Sequence, residues 1–278
     1  MKKHIYRYFH LLLLFALVGL GAACSSDGGS SGSAAVPANA ILIDNSATAE
    51  STTITAVGTG DAIISAFGVE VTTTLTGKDI INVVLEKAHN RNLISAAVVN
   101  GVAFNEPCLV SGSISGDETG SSTSYNATAT FNACDDGDGF VFNGNITISE
   151  TFSSNLTGPY TEQASGNLNV TFSGGSLGFN GFNYAANGDD STGNYTVTIF
   201  TFAINPSTGG GYAVQLTQSL VGNEFRVCEL SSGQILITGA SGSQARATIN
   251  PNDTTKVEYH SGDGNFVETD NSPLGCLV

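Results

Sequence analysis

From Cys108 onward the apolar positions of the chain recur at every second residue. Tyr125, Ala127, Ala129, Phe131 and Ala133 alternate with Asn126, Thr128, Thr130 and Asn132. Phe140, Phe142, Gly144, Ile146 and Ile148 alternate with Val141, Asn143, Asn145, Thr147 and Ser149. Leu168, Val170 and Phe172 continue the pattern, as do Tyr195, Val197 and Ile199, then Tyr212, Val214 and Leu216. A period of two with one apolar and one Asn/Thr/Ser face predicts an antiparallel sheet with one wet side. Turn signals punctuate it at Gly174-Gly175, Asn187-Gly188, Gly209-Gly210, Ala240-Ser241-Gly242 and Ser261-Gly262-Asp263-Gly264. The spacing fits about ten to twelve strands of roughly 5–6 residues or more.

The expected fold is therefore mainly β, of the α+β kind: a large curved antiparallel meander sheet or open barrel with a short helical N-terminal part. A two-sheet β-sandwich is the alternative. The helical part spans residues 40–104 and the β domain 105–278. Within 40–104, Thr76 to Asn90 reads as an amphipathic helix, with Ile80, Ile81, Val84, Leu85 and Ala88 on one face. Ser46 to Val57, after Asp44-Asn45, reads either as a helix or, through Thr52, Thr53 and Ile54, as a strand. Ala96 to Phe104 is equally open between helix and first strand.

Residues 1–39 follow a different logic. Lys2, Lys3 and Arg7 precede the unbroken apolar run Leu11 to Leu20, and Gly21, Ala22 and Ala23 lead to Cys24. Basic, then apolar, then small is the order of an export signal, here residues 1–23. The apolar run is shorter than the ~20 residues of a spanning helix. The stretch Leu20 to Cys24 resembles a bacterial lipobox, although Gly21 stands where that motif most often has Leu. The resemblance implies a diacylglycerol on the Cys24 thiol, cleavage before it and acylation, commonly with palmitate, of the new amino terminus. Ser26, rather than Asp, two residues after the cysteine implies sorting to the outer membrane. Residues 24–39, rich in Gly and Ser, then serve as a flexible tether.

Loss of Lys2, Lys3 and Arg7 leaves 6 basic and 24 acidic residues, a net charge of −18. Such a surface disfavours nucleic acid and anionic lipid. With Cys24 lipidated, four of the five cysteines remain, and an exported chain is expected to oxidise them. Three connectivities are open; the local pairs Cys108–Cys134 and Cys228–Cys276 are favoured. Cys108-Leu109-Val110-Ser111-Gly112 and Cys228-Glu229-Leu230-Ser231-Ser232-Gly233 echo one another, each placing a cysteine just before a turn and a strand. The segments Cys108 to Cys134, Asn143 to Ile148 and Gly233 to Ile249, with Gly262 to Phe266, are similar to a group of uncharacterised proteobacterial lipoproteins. That resemblance implies no activity.

Candidate chemistry is sparse. Gly174 to Gly178 matches Gly-x-Ser-x-Gly around Ser176, but a strand, not the helix of a nucleophile elbow, follows it. His89 and His260 are the two histidines beyond Cys24. No zinc spacing occurs among the cysteines. Asp135, Asp136 and Asp138, and the His260 to Asp270 stretch with Asp263 and Asp270, are acidic turns with a faint calcium-loop look. An EF-hand is excluded, since its first ligand position falls on Tyr259. Six Asn-x-Ser/Thr triplets read as strand faces rather than glycosylation sites.

The expectation is a non-catalytic, cofactor-free lipoprotein of the cell envelope, anchored to the membrane through Cys24. It would act as a structural or interaction module with an envelope protein as partner. The alternative is a carrier holding a lipid or other apolar ligand in the concave side of the sheet, and a third reading is a calcium-dependent adhesion module.

Overall fold

The computed structural model describes residues 34–66 and 99–275, apart from Ser122, Asp136, Asp138, Asn155, Leu156, Asp190, Glu224 and Val227. Among the described residues, twelve strands form one antiparallel sheet in sequence order, each bonded to the next. They are β1 (Val99–Pro107), β2 (Ser111–Gly120), β3 (Ser124–Asp135), β4 (Phe140–Ser154), β5 (Thr157–Phe172) and β6 (Gly175–Asp189). Then come β7 (Asn194–Pro206), β8 (Tyr212–Asn223), β9 (Leu230–Thr238), β10 (Gln244–Asn250), β11 (Thr254–His260) and β12 (Val267–Glu268). The sheet is open rather than closed, as expected of the meander. The helix expected at Thr76 to Asn90 lies outside the described residues.

The strands follow the alternation. Phe131, Phe142, Ile148, Leu168 and Val170 are buried, whereas Asn126, Thr128, Asn145, Thr147, Asn167 and Asn169 are exposed. One cross-strand row shows how the apolar face continues: Ala127 lies opposite Ile148, Ile148 opposite Ala164, Ala164 opposite Tyr184, and Tyr184 opposite Phe200. Further on, Phe202 pairs with Val214, Val214 with Ile237, and Ile237 with Ala245. The wet face is knit by side-chain bonds such as Ser149 Oγ to Asn126 Oδ1 (2.7 Å).

The alternation breaks in β7. Phe200 to Ile204 is buried throughout, Thr201 and Ala203 included, beside the path of residues 34–43. These residues, partly inside the stretch expected to be tether, lie against the sheet. Ala34 sits beside Gly181 and Pro37 beside Gly211, while Asn39 Nδ2 donates to Pro206 O (3.0 Å). The Ile41 N–H donates to Gly211 O (2.8 Å), and Ile41 O accepts from the Ala240 N–H (2.7 Å). The segment is thus wedged between the β7–β8 and β9–β10 turns.

Where the sequence left helix and strand open, a helix forms: α1 (Ser46–Ala66). Asn45 caps it, its Oδ1 accepting from the Thr48 N–H (3.0 Å). Ala49, Thr52, Thr53, Ala56 and Val57 are buried, and α1 packs on β9, β10 and β11. On β10, Ala245 and Ala247 are small and fully buried. Small residues on both surfaces permit close approach, so tertiary burial outweighs the weak helix propensity of the β-branched residues. Ile43, Ala49, Ala56 and Val57 share one apolar core with side chains from β2 to β10. Ala96 to Phe104 resolves toward a strand, with β1 starting at Val99.

Asn187-Gly188 corrects the sequence reading: it is not a turn but lies inside β6. Gly188 stands between Tyr160 and Tyr195 in the pairing, and Tyr195 stands opposite Gly222. A Cβ on Gly188 would lie 2.5 Å from Tyr160 Oη, and one on Gly222 would lie 2.3 Å from Tyr195 Cζ. Each tyrosine ring therefore covers a glycine across the strand gap, a packing that rescues an otherwise weak strand position. Gly188→Ala is expected to cost about 1–3 kcal/mol by overpacking. Adding Tyr160→Ala should make the Gly188→Ala step much smaller, as thermal denaturation of the double-mutant cycle would show.

At the helix start, Glu50 is buried and ties α1 to the chain after β12. Its Oε2 accepts from Asn271 Nδ2 (2.8 Å), and its Oε1 accepts from the Asn271 N–H (3.0 Å) and from Ser46 Oγ (3.1 Å). The Asn271 side chain first, then backbone and hydroxyl donors, hold its carboxyl below the ordinary 4.5 against the opposing effect of burial. A depressed carboxylate stabilises the fold above its unfolded pKa, and that contribution is lost as the pH falls through the folded value. Glu50→Gln should lower the melting temperature at pH 7, and the gap to the wild type should narrow as the pH drops below about 4.5.

Candidate functional site

Three places gather the groups that elementary chemistry marks out. The first is the end of the sheet formed by the β1–β2, β3–β4, β5–β6, β7–β8, β9–β10 and β11–β12 turns. Cys108 and Cys134 are joined there by a disulfide, with Cα atoms 5.5 Å apart. The Val110 N–H donates to Asp135 O (2.9 Å), so the β1–β2 tip is also hydrogen-bonded to the end of β3. Ser207 bridges the next pair of turns: its N–H donates to Ser176 O (2.8 Å), and its Oγ accepts from the Ser176 N–H (2.7 Å). This end is cross-linked turn to turn.

The β1–β2 tip at this end is apolar and open. Leu109 is 82% and Val110 64% exposed. Phe172, whose ring packs edge-on against Phe140 at 6.4 Å, is exposed as well. Val36 and Leu42, in the segment wedged at the same end, are also exposed.

The second place is on the apolar face, and the strand alternation itself points to it. Glu150 follows Ile146 and Ile148 in the same phase, and Glu162 precedes Ala164. An acid in register with core positions was the available signal, and the sequence reading passed over it. The two glutamates stand directly opposite each other across β4 and β5. They are 6% and 8% exposed. Buried carboxylates require hydrogen bonds or counter-charge. Tyr184, fully buried, donates its O–H to Glu162 Oε1. Burial first, then the charge of Glu162 and this bond, push the Tyr184 hydroxyl well above its ordinary pKa of 10.0, so it stays a donor.

A third polar group lies on β10 and β11. Arg246 Nε and Nη2 both donate to Glu258 Oε2 (3.0 and 2.8 Å), and Lys256 Nζ donates to Glu258 Oε1 (2.8 Å). Burial works against the Glu258 carboxylate, yet these two cations hold its pKa below the ordinary value. The Arg246 guanidinium sits 4.1 Å over the Phe266 ring. His260 meets that ring edge-on at 4.6 Å. His260 Nδ1 accepts from the Gly262 and Gly264 N–H groups (3.0 and 3.3 Å), so Nε2 carries the proton and donates to Gln244 Oε1 (3.0 Å). All its members are satisfied, and the group reads as a clasp for the β11–β12 loop.

Of the residues singled out from sequence, Cys24, Cys276, Asp136, Asp138 and His89 lie outside the described residues. Cys228 is disulfide-bonded. Asp135 Oδ1 accepts from the Gly137 N–H (2.8 Å), and Asp263 accepts from the Asn265 N–H and side chain (3.1 and 3.3 Å). The Asp270 N–H donates to Ser46 Oγ (2.8 Å). Among the described residues no three His, Cys, Asp or Glu side chains are grouped to hold a metal ion. Ser176 stands at the start of β6, its N–H bonded to Ser207 as described.

Searched against family models, curated proteins and solved structures, the chain matches none. No helix among the described residues is long and apolar enough to cross a membrane.

Tyr184→Phe should leave Glu162 one hydrogen bond short in a buried setting, at a cost of about 1–3 kcal/mol. Denaturant unfolding of the variant, compared with a Thr147→Val change on the wet face of the sheet, checks this: the second change should stay within about 0.5 kcal/mol.

Proposed function

We propose that the protein is a lipid-anchored component of a bacterial cell envelope, held at the outer membrane through Cys24, in which the sheet serves as a non-catalytic interaction module. The observation that carries this reading is the run Leu11 to Leu20 leading through Gly21, Ala22 and Ala23 to Cys24, with a Gly/Ser tract after it. The Cys108–Cys134 disulfide supports it, because such bonds form and persist in oxidising compartments outside the cytoplasm. Lipidation of Cys24 also leaves an even number of thiols to pair.

A carrier with an apolar ligand in the concave side of the sheet is the second reading. The burial of Phe142, Tyr184, Phe200 and Phe202, all under 2% exposed, favours a filled interior over an open cradle.

Growth with an alkyne-bearing palmitate, followed by capture and mass spectrometry, tests the anchor. The wild-type chain should carry label on a mature N-terminal Cys24 and stay with the membrane fraction. Cys24→Ala should lose the label and appear in the soluble fraction. Equal labelling of Cys24→Ala, or a wild-type mature chain without acyl groups, would refute the anchor.

A further inference from the structure

Residues 67–98 lie outside the described residues, but the chain on either side of them is placed. Before them, α1 ends at Ala66 after packing on β9, β10 and β11. Ala49, Ala56 and Val57 of α1 belong to the core cluster, so the helix lies on the apolar face of the sheet. After them, β1 starts at Val99, on the other side of the sheet in the strand order. The connection has to pass from β9 to β1, about 40 Å at a strand spacing of about 4.8 Å, and it leaves from the apolar side.

The apolar face of β3 to β7 has the character of a seat. Phe131, Phe142, Leu168, Tyr184 and Phe200 on these strands are each 5% exposed or less. A sheet buries one face against a second layer or by closing on itself. This sheet is open, and about eight strands already enclose the interior that side chains alone can fill, so twelve leave space to occupy. The stretch Thr76 to Asn90 offers a matching stripe in Ile80, Ile81, Val84, Leu85 and Ala88. A helix of that length spans about 22 Å, roughly half of the crossing.

Charge complementarity points the same way. No Lys, Arg or His occurs between Arg91 and Arg226, so β1 to β8 carry acids and no basic residue. Glu150 and Glu162 stand opposite each other on the apolar face of these strands. Like charges set opposite and buried call for counter-charge. Arg226 is paired with Asp253, and Arg246 and Lys256 with Glu258. Lys78, Lys87 and Arg91 fall within 67–98. At about 100° per residue, Arg91 is in phase with the apolar stripe, whereas Lys78 and Lys87 fall at its margins. The guanidinium fork suits a pair of carboxylates.

We propose that residues 67–98 cross the apolar face of β3 to β7, seating Ile80, Ile81, Val84, Leu85 and Ala88 on it and bringing Arg91 to the Glu150–Glu162 pair. The concave side is then occupied by the chain itself, and a partner meets the outer face and the turns rather than an internal cavity. This holds whether or not Cys24 is lipidated.

The test uses the full chain, perdeuterated, with protonated Ile, Leu and Val methyls and protonated Phe and Tyr rings. Nuclear Overhauser cross-peaks should join the Ile81, Val84 and Leu85 methyls to the Phe142, Tyr184 and Phe200 rings. Absence of all these cross-peaks overturns the seating. Melting temperatures test the charge contact. Arg91→Gln should lower the melting temperature by at least about 5 °C in the wild-type background. The drop should be much smaller in a background carrying Glu150→Gln and Glu162→Gln. Equal drops in both backgrounds overturn the role given to Arg91, while the cross-peaks decide the seating separately.

Discussion

Burial of one face of a very wide sheet is the constraint on which the rest of this structure depends. An isolated pair of strands is barely stable in water, and each added strand gains chiefly by extending a shared apolar surface. Here that surface runs from β2 to β10 as one cluster, with Phe142, Tyr184, Phe200, Phe202, Ile235 and Ile237 at its densest points. Helix α1 covers part of it over β9 to β11, and Glu50 fastens that cover to the end of the chain. Polar groups are admitted to this face at a few rows, and the bond from Tyr184 to Glu162 illustrates the condition of entry: a buried carboxylate is held by a buried donor.

The second requirement is curvature. Strands of 15 or 16 residues, such as β4, β5 and β6, are long for a globular protein. Register shifts near Gly166 and Gly181, and several between β8 and β9, interrupt the ladders. Bulges bend a strand and increase its local twist, which lets so wide a sheet curl over its own core. The glycines within the strands serve the same geometry, and Tyr160 and Tyr195 fill the space that two of them leave.

The turn end that carries Cys108 and Cys134 is cross-linked. A disulfide, the Ser176–Ser207 bonds and the wedged segment 39–43 tie neighbouring turns to one another, which makes that end a firm platform. Its exposed apolar tips contrast with the Asn/Thr/Ser face of the sheet, where hydroxyls and amides bond among themselves.

Much of this was legible in the sequence. Period-two alternation marked the strands and their faces, because successive side chains of an extended chain point to opposite sides. The turns at Gly174, Gly209-Gly210, Ser241 and Gly262 were readable from residues that tolerate positive φ or tight bends. Cys108–Cys134 was favoured by proximity along the chain. What remained open were choices that depend on contacts distant in sequence. Ser46 to Val57 has no decisive local preference, and as a helix it buries Ala49, Thr53, Ala56 and Val57 while packing on β9 to β11. Asn187-Gly188 has the composition of a turn, and it lies within a strand whose Gly188 is covered by the Tyr160 ring. Glu150 and Glu162 fall in phase with the core positions of their strands, but only the pairing of β4 with β5 sets them face to face. Local alternation and turn chemistry are properties of neighbouring residues, whereas burial is a property of the assembled surface, so these assignments waited on the tertiary structure.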